Sequence, residues 1–289
     1  MRLLTHQLES GEDRLAVATD GDNAVDVEDV LGDGSWTMAR LLQDMPTTVD
    51  RIRGSLERNP PPVIRPVAAL RLLAPVRPGK IVAVGRNYRE HAGEESAEVP
   101  EAPLLFAKFP SAVVGDGATV SWSSALTGQV DYEAELAVVI GRRARQVTPR
   151  EALRHVLGYA CLNDVSARDL QVSDGQWTRA KSLDTFCPIG PWVVTADEIG
   201  DPGALRVQCR VNRELRQDAS TASLVHGVAE LIAYCSRSFT LEPGDVIATG
   251  TPGGVGAFRD PPVFLADGDT VEVEIERIGI LRNRCRVVS

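Results

Sequence analysis

The stretch Val130-Asp131-Tyr132-Glu133-Ala134-Glu135-Leu136-Ala137-Val138-Val139-Ile140-Gly141 alternates with the period of a β-strand. Tyr132, Ala134, Leu136, Val138 and Ile140 fall on one face, and Asp131, Glu133 and Glu135 on the other. Acidic residues are depleted in strands, and at roughly 3.3 Å rise per residue these carboxylates stand only about 6.6 Å apart along the chain. A solvated face is the commoner origin of such a pattern. The alternative is a hard divalent cation, Mg²⁺ or Mn²⁺, which prefers carboxylate oxygens and keeps positions open for water and substrate.

The chain contains its own comparison. In Val271-Glu272-Val273-Glu274-Ile275-Glu276 three glutamates also alternate with apolar residues, but Arg282, Arg284 and Arg286 follow a turn at Ile278-Gly279 with the same period. Opposite charges on neighbouring strands attract, so this segment reads as a structural hairpin. Arg142, Arg143 and Arg145, just past the first acidic strand, do not share its register. That strand still needs a counter-charge.

Length and composition set outer bounds. A chain of 289 residues, 43% hydrophobic and 25% charged, is ordinary globular material, large enough for a sizeable core. The net charge of −9 argues against a nucleic-acid surface, which needs clustered Lys and Arg. The five cysteines, Cys161, Cys187, Cys209, Cys235 and Cys285, form no C-x-x-C pair and read as buried thiols of a reducing compartment. The opening residues lack the apolar run of a signal peptide, and no segment approaches a membrane span, so a cytoplasmic protein is expected.

Residues 1–75 read as a small N-terminal unit. A hairpin is expected around Asp20-Gly21-Asp22-Asn23, with helical spacing at Met38, Leu41 and Leu42, then at Val49, Ile52 and Leu56, and a stiff connector at Pro60-Pro61-Pro62. Residues 76–289 carry many short strands and two notable helices. One is capped at Thr148-Pro149-Arg150-Glu151; the other runs through Leu224, Val225, Val228, Leu231, Ile232 and Cys235, with His226 off its apolar stripe. The fold class is therefore α+β and β-rich, a rolled or barrel-like sheet.

Several residues can carry chemistry. His91 and Glu94 are three apart and share a helical face, so the carboxylate can hold and polarise the imidazole as a general base; a surface ion pair is the plainer reading. Asp164 ends an apolar strand and offers a third oxygen ligand, or a cap. Lys181 can hold an anion or, if desolvated, form a Schiff base; otherwise it is a surface lysine. Thr249-Gly250-Thr251-Pro252-Gly253-Gly254-Val255-Gly256 can present backbone N–H groups to an anion, but it lacks the Lys-Ser/Thr of a phosphate loop, which leaves a carboxylate-binding turn.

Taken together, Lys80-Ile-Val-Ala-Val-Gly-Arg-Asn-Tyr, Asp131-Tyr-Glu-Ala-Glu-Leu, Asn163-Asp-Val-Ser-Ala-Arg-Asp-Leu-Gln171, Ala180-Lys-Ser, the Thr249 loop and Leu281-Arg-Asn resemble the fumarylacetoacetate hydrolase family, and they come in that family's order. The resemblance implies a β-rich roll, a homodimer, and one Mg²⁺ or Mn²⁺ per chain on Glu133, Glu135 and Asp164. It implies that His91 and Glu94 form an acid/base dyad on a segment that closes over substrate, and that Lys181 supports the substrate. Arg86, Gln171, Gly250 and Thr251 fall at substrate-binding positions. Asp131 matches no ligand position, and Leu183 stands where relatives often carry Phe.

The expected activity is metal-dependent hydrolysis of a carbon–carbon bond in a small 2,4-dioxo acid of the acylpyruvate or fumarylpyruvate kind. The alternative is a decarboxylase or isomerase of 2-oxo acids in aromatic catabolism. A Schiff-base lyase on Lys181 and a non-catalytic metal-binding protein are the remaining rivals. Neither nucleic acid nor membrane is expected as a partner.

Overall fold

The computed structural model describes every residue except Gly21, 59–62, Glu95 and Ser289. The Pro60-Pro61-Pro62 connector, the Gly21 position of the first turn and the Glu95 position of the acidic run after the dyad lie outside the described residues. Two large sheets form the body. The longer runs in space from Arg65–Pro66 through Asn23–Asp26, Asp13–Ala18, Arg2–Gln7, Cys187–Thr195, Val156–Asn163, Ala134–Ile140, Val246–Ala248 and Ile81–Gly85 to Leu104–Lys108. The second stacks Glu214–Ser220, Arg206–Val211, Thr270–Ile275, Gly279–Val288 and Thr119–Ser123. Both are mixed: Val246–Ala248 runs parallel to Ile81–Gly85, and Gly279–Val288 parallel to Thr119–Ser123.

The acidic strand sits at the centre of the longer sheet, and it departs from the expected single ribbon. Val130–Asp131 pairs with Ser166–Ala167, and a separate strand, Ala134–Ile140, pairs with Val156–Asn163 and Val246–Ala248. Every residue of Ala134–Ile140 is buried. Leu136, Val138 and Ile140 join a core between the two sheets, while Ala137 and Val139 join a second core on the opposite face. A solvated acidic face is therefore ruled out: the alternation marks two buried surfaces, with the acids at one end of one of them.

The expected boundary between residues 75 and 76 falls in the loop joining Arg71–Leu73 to Ile81–Gly85. Across it the two segments meet edge to edge, Arg2–Gln7 pairing with Cys187–Thr195, and Leu3, Leu15 and Val17 share the second core with Ile81 and Ala83. The N-terminal hairpin and the helices Met38–Gln43 and Thr47–Arg58 form as the spacing predicts.

The C-terminal hairpin forms, but only Glu272 faces an arginine across it, Arg282 at 2.6 Å. Glu274 turns to Arg210 of the neighbouring strand at 2.8 Å, and Glu276 lies past the strand end. The long helix is Val228–Ser238, shorter than expected. Leu224 and Val225 precede it because the Val225 N–H is tied to the Asn87 carbonyl and Gly227 caps the first turn. The Thr148 helix is a single turn, Pro149–Ala152, with Glu151 accepting from the Thr148 N–H.

Candidate active site

The open end of the longer sheet gathers the acids. Glu133 and Glu135 flank Ala134 at the start of the central strand, and Asp164 follows the adjacent strand Val156–Asn163, whose Asn163 is registered opposite Ala134. Asn163 Oδ1 accepts the Glu133 N–H at 3.0 Å, which fixes where the first glutamate leaves the sheet. All three carboxylates are buried, and each offers an oxygen within 4.8 Å of the others.

Cations surround this cluster. Lys181 Nζ reaches Glu133 Oε2 at 2.7 Å and Asp164 Oδ2 at 2.9 Å. Lys108, on Leu104–Lys108, reaches Asp164 Oδ1 at 2.5 Å. Arg168 Nη1 pairs with Glu133 Oε1 at 2.7 Å. Burial alone would raise the Glu133 carboxyl, but Lys181, Arg168 and His91 outweigh it and hold Glu133 well below the usual carboxylate range. Glu135 goes the other way: burial, then Asp164 and Glu133, push it well above its ordinary value. The Lys181 ammonium is favoured, since Asp164 and Glu133 together outweigh the penalty of burial. Lys181 is thus no surface lysine, and its pairing opposes the neutral amine that a Schiff base needs.

The donor set fits a hard divalent cation. It consists of oxygen alone, it is buried, and burial, with Asp164 and Glu133 nearby, disfavours the Glu135 charge, which a further positive charge would relieve. Glu133, Glu135 and Asp164 are the residues that would hold it.

His91 lies on the helix Arg89–Glu94 and is buried, with Nδ1 3.5 Å from Glu94 Oε2 and its ring 6.0 Å from that of Phe258. The glycine-rich loop does bind anions through its backbone, and the anions belong to the protein. Gly250 N–H donates to Glu135 Oε2 at 2.8 Å, Gly254 N–H to Glu94 Oε1 at 2.7 Å, and Gly256 N–H to Asp131 Oδ1 at 2.8 Å. Gly250 and Gly254 adopt φ of 102° and 99°, where a side chain is strained, and a Cβ on Gly254 would stand 2.3 Å from the Arg216 carbonyl.

One small pocket is lined by Arg86, His91, Glu133, Glu135, Gln171, Lys181 and Thr251, so seven of the ten residues singled out in the sequence meet there. The other three touch its lining: Glu94 beside His91, Asp164 against Lys181, and Gly250 on Glu135. The Thr251 hydroxyl donates to the Ala134 carbonyl and accepts from Gln217. The free volume is ≈ 10 Å³, about what one water occupies, so a substrate enters only if a wall moves. A groove of ≈ 1020 Å³ between residues 70–74 and 113–119 is far larger, but it holds neither the carboxylate cluster nor the dyad.

The sequence reading missed four contributors. Phe106 and Trp177 form an edge-to-face wall of the pocket, 5.3 Å between centroids. Lys108 backs Asp164. Asn87 is a buried clamp: its amide donates to the carbonyls of Thr249 at 2.7 Å and His226 at 3.0 Å, and accepts the His226 N–H at 2.8 Å. Its position inside the Gly-Arg-Asn-Tyr segment, directly before the dyad helix, was the one available signal. His226, read as a surface or interface residue, is held by that clamp through its backbone.

Two mixed sheets, with a buried carboxylate cluster at the start of the central strand and a His–Glu pair beside it, define a β-rich α+β enzyme scaffold. The family model described as fumarylacetoacetate (FAA) hydrolase, C-terminal, matches residues 80–286, and the chain belongs to that family. A mitochondrial oxaloacetate tautomerase of Bos taurus is 44% identical over 251 residues, 86% of this chain and 79% of that one. Among solved structures, a fumarylacetoacetate hydrolase from psychrophilic Exiguobacterium antarcticum is 39% identical with a TM-score of 0.85, each chain covered in full. A 2-hydroxyhepta-2,4-diene-1,7-dioate isomerase from Mycobacterium marinum is 36% identical with a TM-score of 0.78, covering 99% of this chain and 98% of that one. Among the described residues, no helix is long and apolar enough to cross a membrane.

Proposed function

We propose that this protein is a divalent-cation-dependent enzyme that moves a proton next to the carbonyl of a small 2-oxo acid, with an oxaloacetate-like diacid as the first substrate to test. One observation carries the reading: a buried imidazole backed by a carboxylate shares a very small pocket with three convergent carboxylates. The likeness to an oxaloacetate tautomerase and to a dienedioate isomerase points to the same class of reaction.

Glu133, Glu135 and Asp164 would hold the cation, Mg²⁺ or Mn²⁺, which when bound would supply a Lewis acid for the 2-oxo group. Glu94 sits on the Nδ1 side of His91 and would orient the ring; the imidazole would take the enol hydroxyl proton, and a proton returned to the adjacent carbon completes the tautomerisation. The Lys181 ammonium holds the developing oxyanion. Arg86 and Gln171, which line the pocket, would meet the substrate's carboxylates. Gly250 acts through Glu135, and Thr251 shapes the wall. Phe106 and Trp177 exclude water.

Hydrolysis of a 2,4-dioxo acid is the second reading, supported by the likeness to a fumarylacetoacetate hydrolase. There His91 and Glu94 would activate water against the distal carbonyl. A homodimer and a cytoplasmic location complete the proposal, the latter resting on five buried free thiols.

The test is turnover of oxaloacetate enol, acylpyruvates and fumarylpyruvate with Mg²⁺ or Mn²⁺ and again with EDTA. Cation-dependent ketonisation of oxaloacetate enol, lost in Glu135→Gln and slowed in His91→Ala with Mn²⁺ binding retained, is the expected result. Cleavage of an acylpyruvate without ketonisation would replace it with the hydrolase reading. Full activity in Glu135→Gln would end both.

A further inference from the structure

We propose that Asp131 is a positioning residue: by holding Arg168 it keeps that guanidinium from closing on Glu133 with both prongs, and so leaves Glu133 able to bind a cation. The proposal rests on the reading of Glu133, Glu135 and Asp164 as cation ligands.

Asp131 is fully buried. Its Oδ1 accepts the N–H groups of Tyr132 at 2.9 Å and Gly256 at 2.8 Å, and its Oδ2 accepts that of Ala257 at 3.0 Å. Arg168 presents one edge of its guanidinium to the same Oδ2, with Nε and Nη2 both at 2.9 Å. Nε makes the hydrogen bond, Nη2 makes an ion-pair contact without one, and Nη1 reaches across the site, to Glu133 Oε1 at 2.7 Å and Gln171 Oε1 at 3.0 Å. A guanidinium held along one edge meets a second carboxylate with a single nitrogen, not with its two-pronged fork. Glu133 therefore keeps Oε2 out of the guanidinium's reach, on the Lys181 ammonium that it shares with Asp164.

Charge leads to the same conclusion. Asp131 balances Arg168, so Glu133, Glu135 and Asp164 stand formally as three carboxylates against the two ammonium groups of Lys108 and Lys181. With Asp131 neutral, the buried guanidinium would lose its partner and turn its fork to the nearest anion, Glu133. The three carboxylates would then face three cations, and a metal ion would have to compete with Arg168 for Glu133. Removing Arg168 is different: Asp131 still has three backbone N–H donors, and Glu133 gains an unshared oxygen.

The experiment is calorimetric titration of the purified full chain with Mn²⁺ in the wild type, Asp131→Asn, Arg168→Met and the double variant. Asp131→Asn should bind Mn²⁺ about tenfold more weakly, as expected for loss of a group behind a metal ligand. Arg168→Met should bind at least as tightly as the wild type, and adding Asp131→Asn to it should change the affinity by less than about twofold. If Asp131 only braces residues 256–257, it will weaken binding equally in both backgrounds, and that result overturns the proposal. Should Asp131→Asn fail to fold, Arg168→Met decides alone, since Mn²⁺ affinity about tenfold below wild type would make Arg168 an orienting group for Glu133, contrary to the proposal. Wild-type binding with an unchanged Asp131→Asn affinity overturns this inference only; a wild type that binds no Mn²⁺ overturns the cation reading and this inference with it.

Discussion

Lys108 and Asp164 meet inside the protein with no solvent contact, Lys108 Nζ 2.5 Å from Asp164 Oδ1. Lys108 ends an edge strand and Asp164 follows a strand that is not its neighbour, so this pair ties Leu104–Lys108 to the acidic centre. Removing one partner of a buried pair leaves the other charge uncompensated, at a cost of about 3 kcal/mol or more. Lys108→Met should lower unfolding stability by about that amount in urea titrations. A loss below about 0.5 kcal/mol, typical of a surface change, would show that the pair is not structural.

Glu135→Gln separates folding from cation binding. Burial and its acidic neighbours already disfavour the Glu135 charge, so an uncharged side chain of the same shape should not lower the melting temperature measured in EDTA. In the wild type, Mn²⁺ should raise that temperature, because a ligand that binds only the folded state stabilises it. The rise should vanish in the variant. Equal Mn²⁺ stabilisation of both proteins would remove Glu135 from the ligand set.

The N-terminal strands contain a pH-sensitive contact. Burial would raise Asp26, but its hydrogen bond and charge interaction with His6, followed by Arg65 and Arg14, win and lower it below its ordinary 3.8. A carboxylate lowered in the folded state contributes stability that is fully present above the unfolded value and lost as pH falls through the folded one. Urea unfolding of the wild type should therefore weaken below about pH 4 through this group, a loss that Asp26→Asn lacks. Parallel pH profiles for the two proteins would contradict it.

Gly85 sits against Trp177: a Cβ there would stand 2.4 Å from the indole ring. Gly85→Ala should displace the ring, cost about 1–3 kcal/mol by overpacking, and raise KM more than it lowers kcat, because the cation ligands are untouched. An unchanged KM in folded protein would mean that Trp177 does not bound the substrate.

The thiols should be silent in the native state. Burial pushes Cys187, Cys235 and Cys285 up to about 12, and all five cysteines are buried and unpaired. A disulfide-exchange reagent at pH 8 should label none until denaturant is added, and then all five. Rapid labelling of the folded protein would place a thiol at the surface.

The architecture was legible where periodicity is local. Strands, the N-terminal helices and the grouping of Glu133, Glu135 and Asp164 follow from alternation, helical spacing and the family resemblance. Alternation cannot say where an acid goes: Glu133 and Glu272 share one sequence pattern, yet Glu133 is buried on Lys181 and Arg168 while Glu272 answers Arg282 at the surface. The difference lies in what packs over each strand, contributed by residues far along the chain. Lys108 and Asn87 escaped notice for the same reason, since their partners Asp164 and Thr249 lie 56 and 162 positions away. The late start of the helix at Val228 was hidden likewise, because Leu224 and Val225 fit its apolar stripe but are diverted by a strand-end clamp that no helical pattern encodes.

The loop that offers its amides to Glu135, Glu94 and Asp131 acts as a common datum. The three carboxylates are each located against one short run of main chain, so their mutual distances follow from its length. Substitutions can alter the aromatic wall or the outer sheet one residue at a time. Inserting or deleting a single residue between Gly250 and Gly256 would put all three out of register at once, so chemical variety on this scaffold has to come from the walls facing the loop, with the loop itself kept at fixed length.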